Sequence, residues 1–239
     1  MLDKSYFKTL PDNRRIFGSA HKDRPFIVLK LATSLDGRIA AKTGAGEWIT
    51  NTLSRAFVHR MRAEADAIMI GTRTAELDDP ELTCRLPGLQ HLSPIRIILD
   101  RQARLPARLK VFATAAASPT WLLSATPPAR PLIDLGVNCL EVAETGDGRL
   151  DLADALFRIG RQGIQSLLVE GGAQLARTML QLKLIDRLVW FHAPKLLGSD
   201  GIPAIGPLDL SAVEDGPKLK PCETLFFAED VARIFDLGD

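Results

Sequence analysis

Short, dense runs of apolar and β-branched residues recur along the chain and constrain its fold more than any other feature. FIVLKLAT begins at Phe26, followed by AIMIG (67–71), PIRIILD (94–100), TWLLSA (120–125), SLLVE (166–170) and DRLVWFHAP (186–194). Runs this short, without polar alternation, are strands buried on both faces. Between them apolar residues return at helical spacing. Leu53, Ala56, Phe57 and Met61 do so from Asn51 to Arg62, with Thr50, Asn51 or Thr52 as candidate caps. Leu152, Ala155, Leu156 and Ile159 do so from Asp151 to Arg161, and Leu175, Met179 and Leu182 follow Gly171-Gly172 as an inward face. Strands alternating with helices predict an α/β fold with a mostly parallel central sheet. A closing pair of strands around Glu223 to Phe227 and Ala232 to Leu237 predicts an antiparallel edge.

The first 24 residues alternate charge with single apolar residues and lack a signal-peptide core, and no later stretch is long and apolar enough to span a membrane. A cytoplasmic protein is expected, with residues 1–24 as an N-terminal extension and 25–239 as one domain. With 30 Lys and Arg against 29 Asp and Glu, the chain has no broad basic footprint for nucleic acid. Cys84, Cys139 and Cys222 are widely spaced and read as reduced thiols, neither a disulfide framework nor a zinc site. No HExxH helix occurs, and no histidine carries the His-x-Glu pattern of zinc deaminases, so no metal is expected.

Several local patterns carry chemistry. Gly44-Ala45-Gly46 fails as a dinucleotide fingerprint because no strand precedes it and Ile49 fills the small sixth position. Val169-Glu170-Gly171-Gly172 delivers a strand to a helix start, where backbone amides can meet a phosphate or simply form a tight turn. GTRTAELDDPELTCR (71–85) lies beyond a strand end, where open α/β sheets bind ligands, and Pro80 stops any helix there. Arg62 and Arg85 offer forked donors to a phosphate, although most arginines merely solvate a surface. Asp36, in the turn Ser-Leu-Asp-Gly, reads as a loop hydrogen-bonding residue.

In this order, KLATSLDGRIA, GAGEWIT, DDPELTCR, PIRIILD, VEGG and APKLLGSDG resemble the reductase domain of the bifunctional riboflavin-biosynthesis deaminase-reductase, from Pro25 to the C-terminus. The resemblance implies a dihydrofolate-reductase-like three-layer fold, NADPH as cofactor, and a homodimer. It implies reduction of the ribosyl group of a 5-phosphoribosylamino-pyrimidine to a ribityl chain, with hydride passing to the sugar C1. A separate deaminase in the pathway is the expected companion. By motif position, Ala32, Trp48, Thr74, Asp78 and the segment Gly172, Ala173, Gln174, Leu175, Ala176, Arg177, Thr178 would line the NADPH site, with Arg101 at the adenosine 2′-phosphate. Arg38, Gly46, Arg62, Leu82, Arg85 and Glu170 would hold the substrate, the phosphate falling to Arg62 and Arg85. Asp78 is the candidate proton donor. Where the family carries a serine two residues before the tryptophan this chain has Gly46, and Ala45 replaces an acidic residue, so the exact pyrimidine stays open. Reduction of another heterocycle such as a dihydropteridine, or cofactor binding without catalysis, are the alternatives.

Overall fold

The computed structural model describes residues 16–43 and 48–238. Its strands are β1 (Phe26–Ser34), β2 (Arg38–Ala40), β3 (Ala67–Gly71), β4 (Ile95–Leu99), β5 (Thr120–Ser124), β6 (Asn138–Glu141), β7 (Ser166–Val169), β8 (Arg187–Ala193), β9 (Ile202–Pro203), β10 (Leu219–Phe227) and β11 (Asp230–Leu237). The α-helices are α1 (Thr52–Glu64), α2 (Thr72–Asp78), α3 (Lys110–Ala113), α4 (Arg130–Asp134), α5 (Leu152–Arg161) and α6 (Ala173–Gln181). Nine strands form one sheet in the order β10-β11-β8-β1-β7-β3-β4-β5-β6, and β2 pairs with β9 apart from it. From β8 to β6 the neighbours run parallel, while β11 is antiparallel to both β8 and β10.

Strand residues feed two cores alternately, as a period of two requires. Val28, Ile68, Ile70, Ile98 and Leu168 meet Phe57 and Met61 of α1 together with Phe112 and Leu132 on one face. Ile27, Leu29, Met69, Ile97 and Val169 meet the α5 stripe Leu152, Ala155, Leu156 and Ile159, with Ala176 and Met179 of α6, on the other. Both faces are thus covered, giving the helix–sheet–helix layering of a dihydrofolate-reductase-like fold. Burial of each large aliphatic chain contributes about 1.5–3 kcal/mol.

Helix starts follow the sequence closely. Asn51 caps α1, its Oδ1 accepting from the amides of Leu53 at 2.9 Å and Ser54 at 3.0 Å. Asp230, buried at the β10–β11 turn, accepts from the Asn51 amide and the Ser54 hydroxyl, both at 2.7 Å, which fixes α1 against the antiparallel edge. Leu182 departs from expectation: it caps the end of α6 and is exposed, because the helix stops one residue short of the inward position. The loops between β4 and β6 contain α3 and α4, each only a turn or so long, too short for a periodic signal.

Residues 16–25 pack against the N-terminal edge of the sheet. Asp186 accepts from Arg24 at 2.7 and 2.8 Å, from the Ile27 amide at 2.7 Å and lies 2.8 Å from His21 Nε2. These bonds outweigh the cost of burying the carboxyl and hold it below its usual range. Asp186→Ala is expected to lower stability by about 2 kcal/mol in urea unfolding, since it strands a guanidinium and a strand amide together; an unchanged midpoint would show that this anchor contributes nothing.

Candidate active site

Ligands of open parallel sheets bind beyond the carboxyl ends of the strands, and here those ends gather an unusual concentration of charge. The register pairs Leu29 of β1 with Val169 of β7, so the next residues, Lys30 and Glu170, become neighbours. Arg62, in the last turn of α1, reaches over them. Its Nε donates to Glu170 Oε1 at 2.7 Å, its Nη2 to Oε2 at 3.0 Å and its Nη1 to the Thr83 carbonyl at 3.2 Å. Lys30 Nζ lies 3.7 Å from Glu170 Oε2. Side-chain exposures of 13% for Arg62, 10% for Glu170 and 17% for Lys30 make this a nearly dry cluster with one open side.

Burial alone would push the Glu170 carboxyl up, but the Arg62 and Lys30 charges overcome it and hold the group at about 2. Burial likewise lowers the Lys30 ammonium, against which Glu170 pulls it back up. Arg62 is raised: desolvation opposes its charge and Glu170 outweighs that. His59, one turn earlier on α1, is pulled down to about 4 by burial and then by Arg62 and Arg85, so its ring is neutral near pH 7 and its Nδ1 is placed 3.3 Å from the Arg85 amide.

The remaining candidates form two groups. On the β3 and β7 side, Thr74 Oγ1 accepts from the Gly172 amide at 3.2 Å, joining α2 to the start of α6. Gly171 must lack a side chain, because a Cβ there would sit 2.6 Å from Leu175 Cδ2. The first amides of α6, from Ala173 and Gln174, therefore open onto the strand ends as an anion-attracting terminus. Ala176 is fully buried beneath the helix, while Leu175 is partly buried against the same core. Arg177 Nη2 contacts Asp209 at 2.5 Å and the Thr178 hydroxyl bonds back to the Gln174 carbonyl. Asp78 ends α2 with its carboxyl raised by partial burial. Ala32 lies on β1, half-buried beside Phe191 of β8.

The second group surrounds the substrate candidates. Leu82 is buried and holds a left-handed backbone at φ 58°, and Arg85 follows it with half its side chain exposed, 3.7 Å from Glu81. Arg62 donates to Glu170 and Thr83, whereas the half-exposed Arg85 guanidinium lies 3.4 Å from His59 Nε2 through its Nε and 3.7 Å from Glu81 through its Nη1. Arg38 begins β2, and its buried Nε has no hydrogen-bond partner among the described residues. Asp36 is a loop hub, accepting from the Ser34 hydroxyl at 2.5 Å and from the amides of Leu197 at 3.1 Å and Gly198 at 2.7 Å. Trp48 is 65% exposed with the Arg55 guanidinium 4.9 Å over its ring, and Gly46 lies outside the described residues. Arg101, after β4, pairs with Glu144 at 2.8 Å on the surface. Among the described residues no cluster of His, Cys, Asp and Glu could hold a metal.

Residues 25–232 match the RibD C-terminal domain family. The chain belongs to that family. The chain is 36% identical to the riboflavin biosynthesis protein RibD of Chlamydia trachomatis over 89% of its own length and 57% of that relative, and 34% identical to RibD of Aquifex aeolicus over 93% and 61%. It thus spans about three fifths of these RibD relatives. It is also 36% identical to the 2,5-diamino-6-ribosylamino-4(3H)-pyrimidinone 5′-phosphate reductase of Methanothermobacter thermautotrophicus, over 73% of this chain and 80% of that protein. RibD of Acinetobacter baumannii superposes with a TM-score of 0.81 at 30% identity, covering 91% of this chain and 59% of that one. The Saccharomyces cerevisiae riboflavin biosynthesis reductase shares the fold at a TM-score of 0.72 and 18% identity, over 95% and 97% of the two chains.

In this RibD-family chain, sequence reasoning passed over Lys30 and His59. Lys30 was findable as the one charge inside FIVLKLAT; His59 had no local signal, since its role arises only when α1 meets the 81–85 loop. The cluster sets the acid limb of stability. Glu170 is depressed from 4.5 and His59 from 6.5, so both contribute stability at neutral pH that is lost on acidification, His59 between pH 6.5 and about 4 and Glu170 between 4.5 and about 2. Arg62→Met is expected to cost about 3–5 kcal/mol at pH 7 and to start the acid loss at higher pH, because the stranded carboxyl titrates upward. Urea midpoints from pH 4 to 8 check this; parallel curves for wild type and variant would contradict it.

Proposed function

We propose that this chain reduces the ribosyl group of a 5-phosphoribosylamino-pyrimidine to the ribityl form with NADPH, in riboflavin biosynthesis. The observation that carries the reading is Glu170, kept ionised between Arg62 and Lys30 and followed immediately by the glycines that open α6. That juxtaposition sets a fixed acceptor for substrate hydroxyl or amine protons next to a terminus suited to a cofactor phosphate. Membership of the RibD C-terminal domain family, and the names carried by its relatives, supply the reaction class.

The residues at the strand ends fit NADPH. The amides of Ala173 and Gln174 at the start of α6 suit its pyrophosphate, and Thr74 and Asp78 on α2 flank them. Trp48 offers a flat apolar face. Arg101 can exchange its exposed Glu144 partner for the adenosine 2′-phosphate. NADPH, when bound, supplies the hydride. On the substrate side, Arg85 takes the 5′-phosphate with its half-exposed guanidinium in exchange for its Glu81 and His59 contacts, and the Leu82 backbone and Arg38 bound the ribose. Glu170 accepts from the sugar or pyrimidine, and Arg62 keeps it ionised and aimed. Opening the ribosylamine ring requires a proton at the ring oxygen. Asp78 is the first donor to test, because partial burial raises its carboxyl and retains the proton to higher pH.

The reductase domain would start near Pro25, pair as a homodimer and act in the cytoplasm, in a pathway that also includes a deamination step. Among the described residues no helix is long and apolar enough to cross a membrane. The test is NADPH oxidation with the phosphoribosylamino-uracil, its undeaminated relative and dihydrofolate. Turnover of a ribosylamino compound is expected, with Arg85→Ala raising its KM about tenfold and Arg101→Ala raising the KM for NADPH about tenfold while leaving that for NADH unchanged. Turnover of dihydrofolate alone, or NADPH binding with no turnover, would overturn the proposal.

A further inference from the structure

PIRIILD contains a charge that neither the fold nor the proposed site has used. Arg96 stands at the second position of β4, on the face that supplies Ile98 to the α1 core, and its side chain is fully buried. Among the described residues no carboxylate hydrogen-bonds to it, although the Glu81 charge favours the cation against the effect of burial. Its Nη1 donates to the Glu81 carbonyl at 3.2 Å and to Thr114 Oγ1 at 2.8 Å, and its Nη2 donates to the Ser118 carbonyl at 2.7 Å and to Thr120 Oγ1 at 2.6 Å. Its Nε, also buried, finds no acceptor among the described residues. Burial pulls the guanidinium down to about 10, which still leaves it charged at neutral pH. A cation in that position costs several kcal/mol of desolvation, which an apolar side chain of similar length would not incur.

The Glu81 carbonyl is the one point where this cation touches the ligand edge, and it sits in the most strained stretch of backbone in the site. Asp79 at φ 38° and Leu82 at φ 58° are both left-handed, on either side of Glu81. Such conformations cost about 1–3 kcal/mol each for a residue with a side chain and persist only where surrounding bonds over-determine them. The loop is held from two directions. Arg62 takes the Thr83 carbonyl from the α1 side, the Ser93 hydroxyl takes the Cys84 amide at 3.1 Å, and Asp79 Oδ1 accepts from the Lys110 amide at 2.7 Å. Arg96 alone grips the peptide between the two strained residues, and it ties that peptide to the turn before β5.

We propose that Arg96 is a positioning residue: through the Glu81 carbonyl it holds the Asp79-to-Arg85 loop in the strained form that presents the Leu82 backbone and the Arg85 side chain to the substrate. It never meets the substrate itself. A guanidinium is needed because its fork spans the Glu81 and Ser118 carbonyls at once, whereas a lysine at the same place reaches one of them. Loss of the fork lets the peptide relax out of the left-handed region and withdraws Arg85, while the start of α6, the Arg62–Glu170 pair and Arg101 stay in place.

The claim about the loop is independent of the proposed function; its consequence for KM rests on that reading. The experiment compares wild type with Arg96→Lys, and with Thr114→Val as a milder loosening of the same side chain. Amide hydrogen exchange is followed in peptides covering residues 79–86 and 95–99, together with steady-state kinetics on the phosphoribosylamino-pyrimidine and equilibrium NADPH binding. In Arg96→Lys the 79–86 amides are expected to exchange at least about tenfold faster with the β4 amides unchanged. Substrate KM should rise about tenfold, while kcat and the NADPH Kd move by less than about twofold; Thr114→Val shifts KM in the same direction by about threefold. If Arg96→Lys does not fold, Thr114→Val is read alone against the same criteria. Faster exchange spread evenly over both segments, or a lowered Tm with unaltered KM, would show a residue that merely supports the core and would overturn the inference. Should wild type fail to turn over either ribosylamino compound, the function proposed above falls, and the exchange pattern still decides the role of Arg96.

Discussion

A carboxylate at the end of a buried strand stays charged only if something answers it, and the ligand edge of this protein is arranged around that requirement. Glu170 leaves β7 with 10% of its side chain exposed and is answered twice, by the forked Arg62 and by Lys30 across the β1–β7 pairing. Meeting that demand fixes the relation of three elements. α1 must bring its last turn over the sheet, β1 must carry a lysine in an otherwise apolar run, and the 81–85 loop must turn a carbonyl toward the third nitrogen of Arg62. The charge cluster therefore serves both packing and chemistry: it holds α1, the loop and the α6 start together, and it leaves one ionised acceptor beside a helix terminus.

The same physics explains why the site is rigid where it is strained. Buried carbonyls and amides must find partners, and in the 79–86 segment the partners come from outside the segment: Arg62, Arg96, Ser93, His59 and Lys110. A loop satisfied from several sides can keep two residues left-handed that would otherwise relax. Two buried arginines act in different ways here. Arg62 is bonded to a carboxylate and carries the electrostatics of the site; Arg96, among the described residues, hydrogen-bonds carbonyls and hydroxyls and carries its shape.

Much of this architecture was legible in the chain. Short apolar runs without polar alternation marked the parallel strands, Asn51 was among the three candidate caps of α1, and Asp151 began the segment read as α5; in the structure both Asn51 and Asp151 cap. The antiparallel edge was visible, although β10 starts earlier than anticipated because exposed Leu219, Lys220 and Pro221 still pair across the hairpin, and β11 starts at the buried Asp230. The motifs around Glu170, Leu82 and Arg85 pointed to the ligand edge. What could not be read was pairing at long range. That Arg62 spends its fork on Glu170, that His59 accepts from Arg85, and that Arg96 reaches back to Glu81 all depend on how α1 and β4 dock, and no local pattern encodes it. Ala176 lies in the α6 segment by motif, but helical periodicity turns its side chain into the core, a distinction a motif match does not make.

The most direct measurement is to supply NADPH carrying deuterium at the transferable position of the nicotinamide and to locate the label in the product by NMR. The account predicts one deuterium on the ribityl C1 carbon and none on the pyrimidine ring, because the proposed reaction delivers hydride to the sugar C1 and leaves the base unreduced. Deuterium on a ring carbon, or cofactor that binds and keeps its label in the presence of the ribosylamino-pyrimidine, would contradict it.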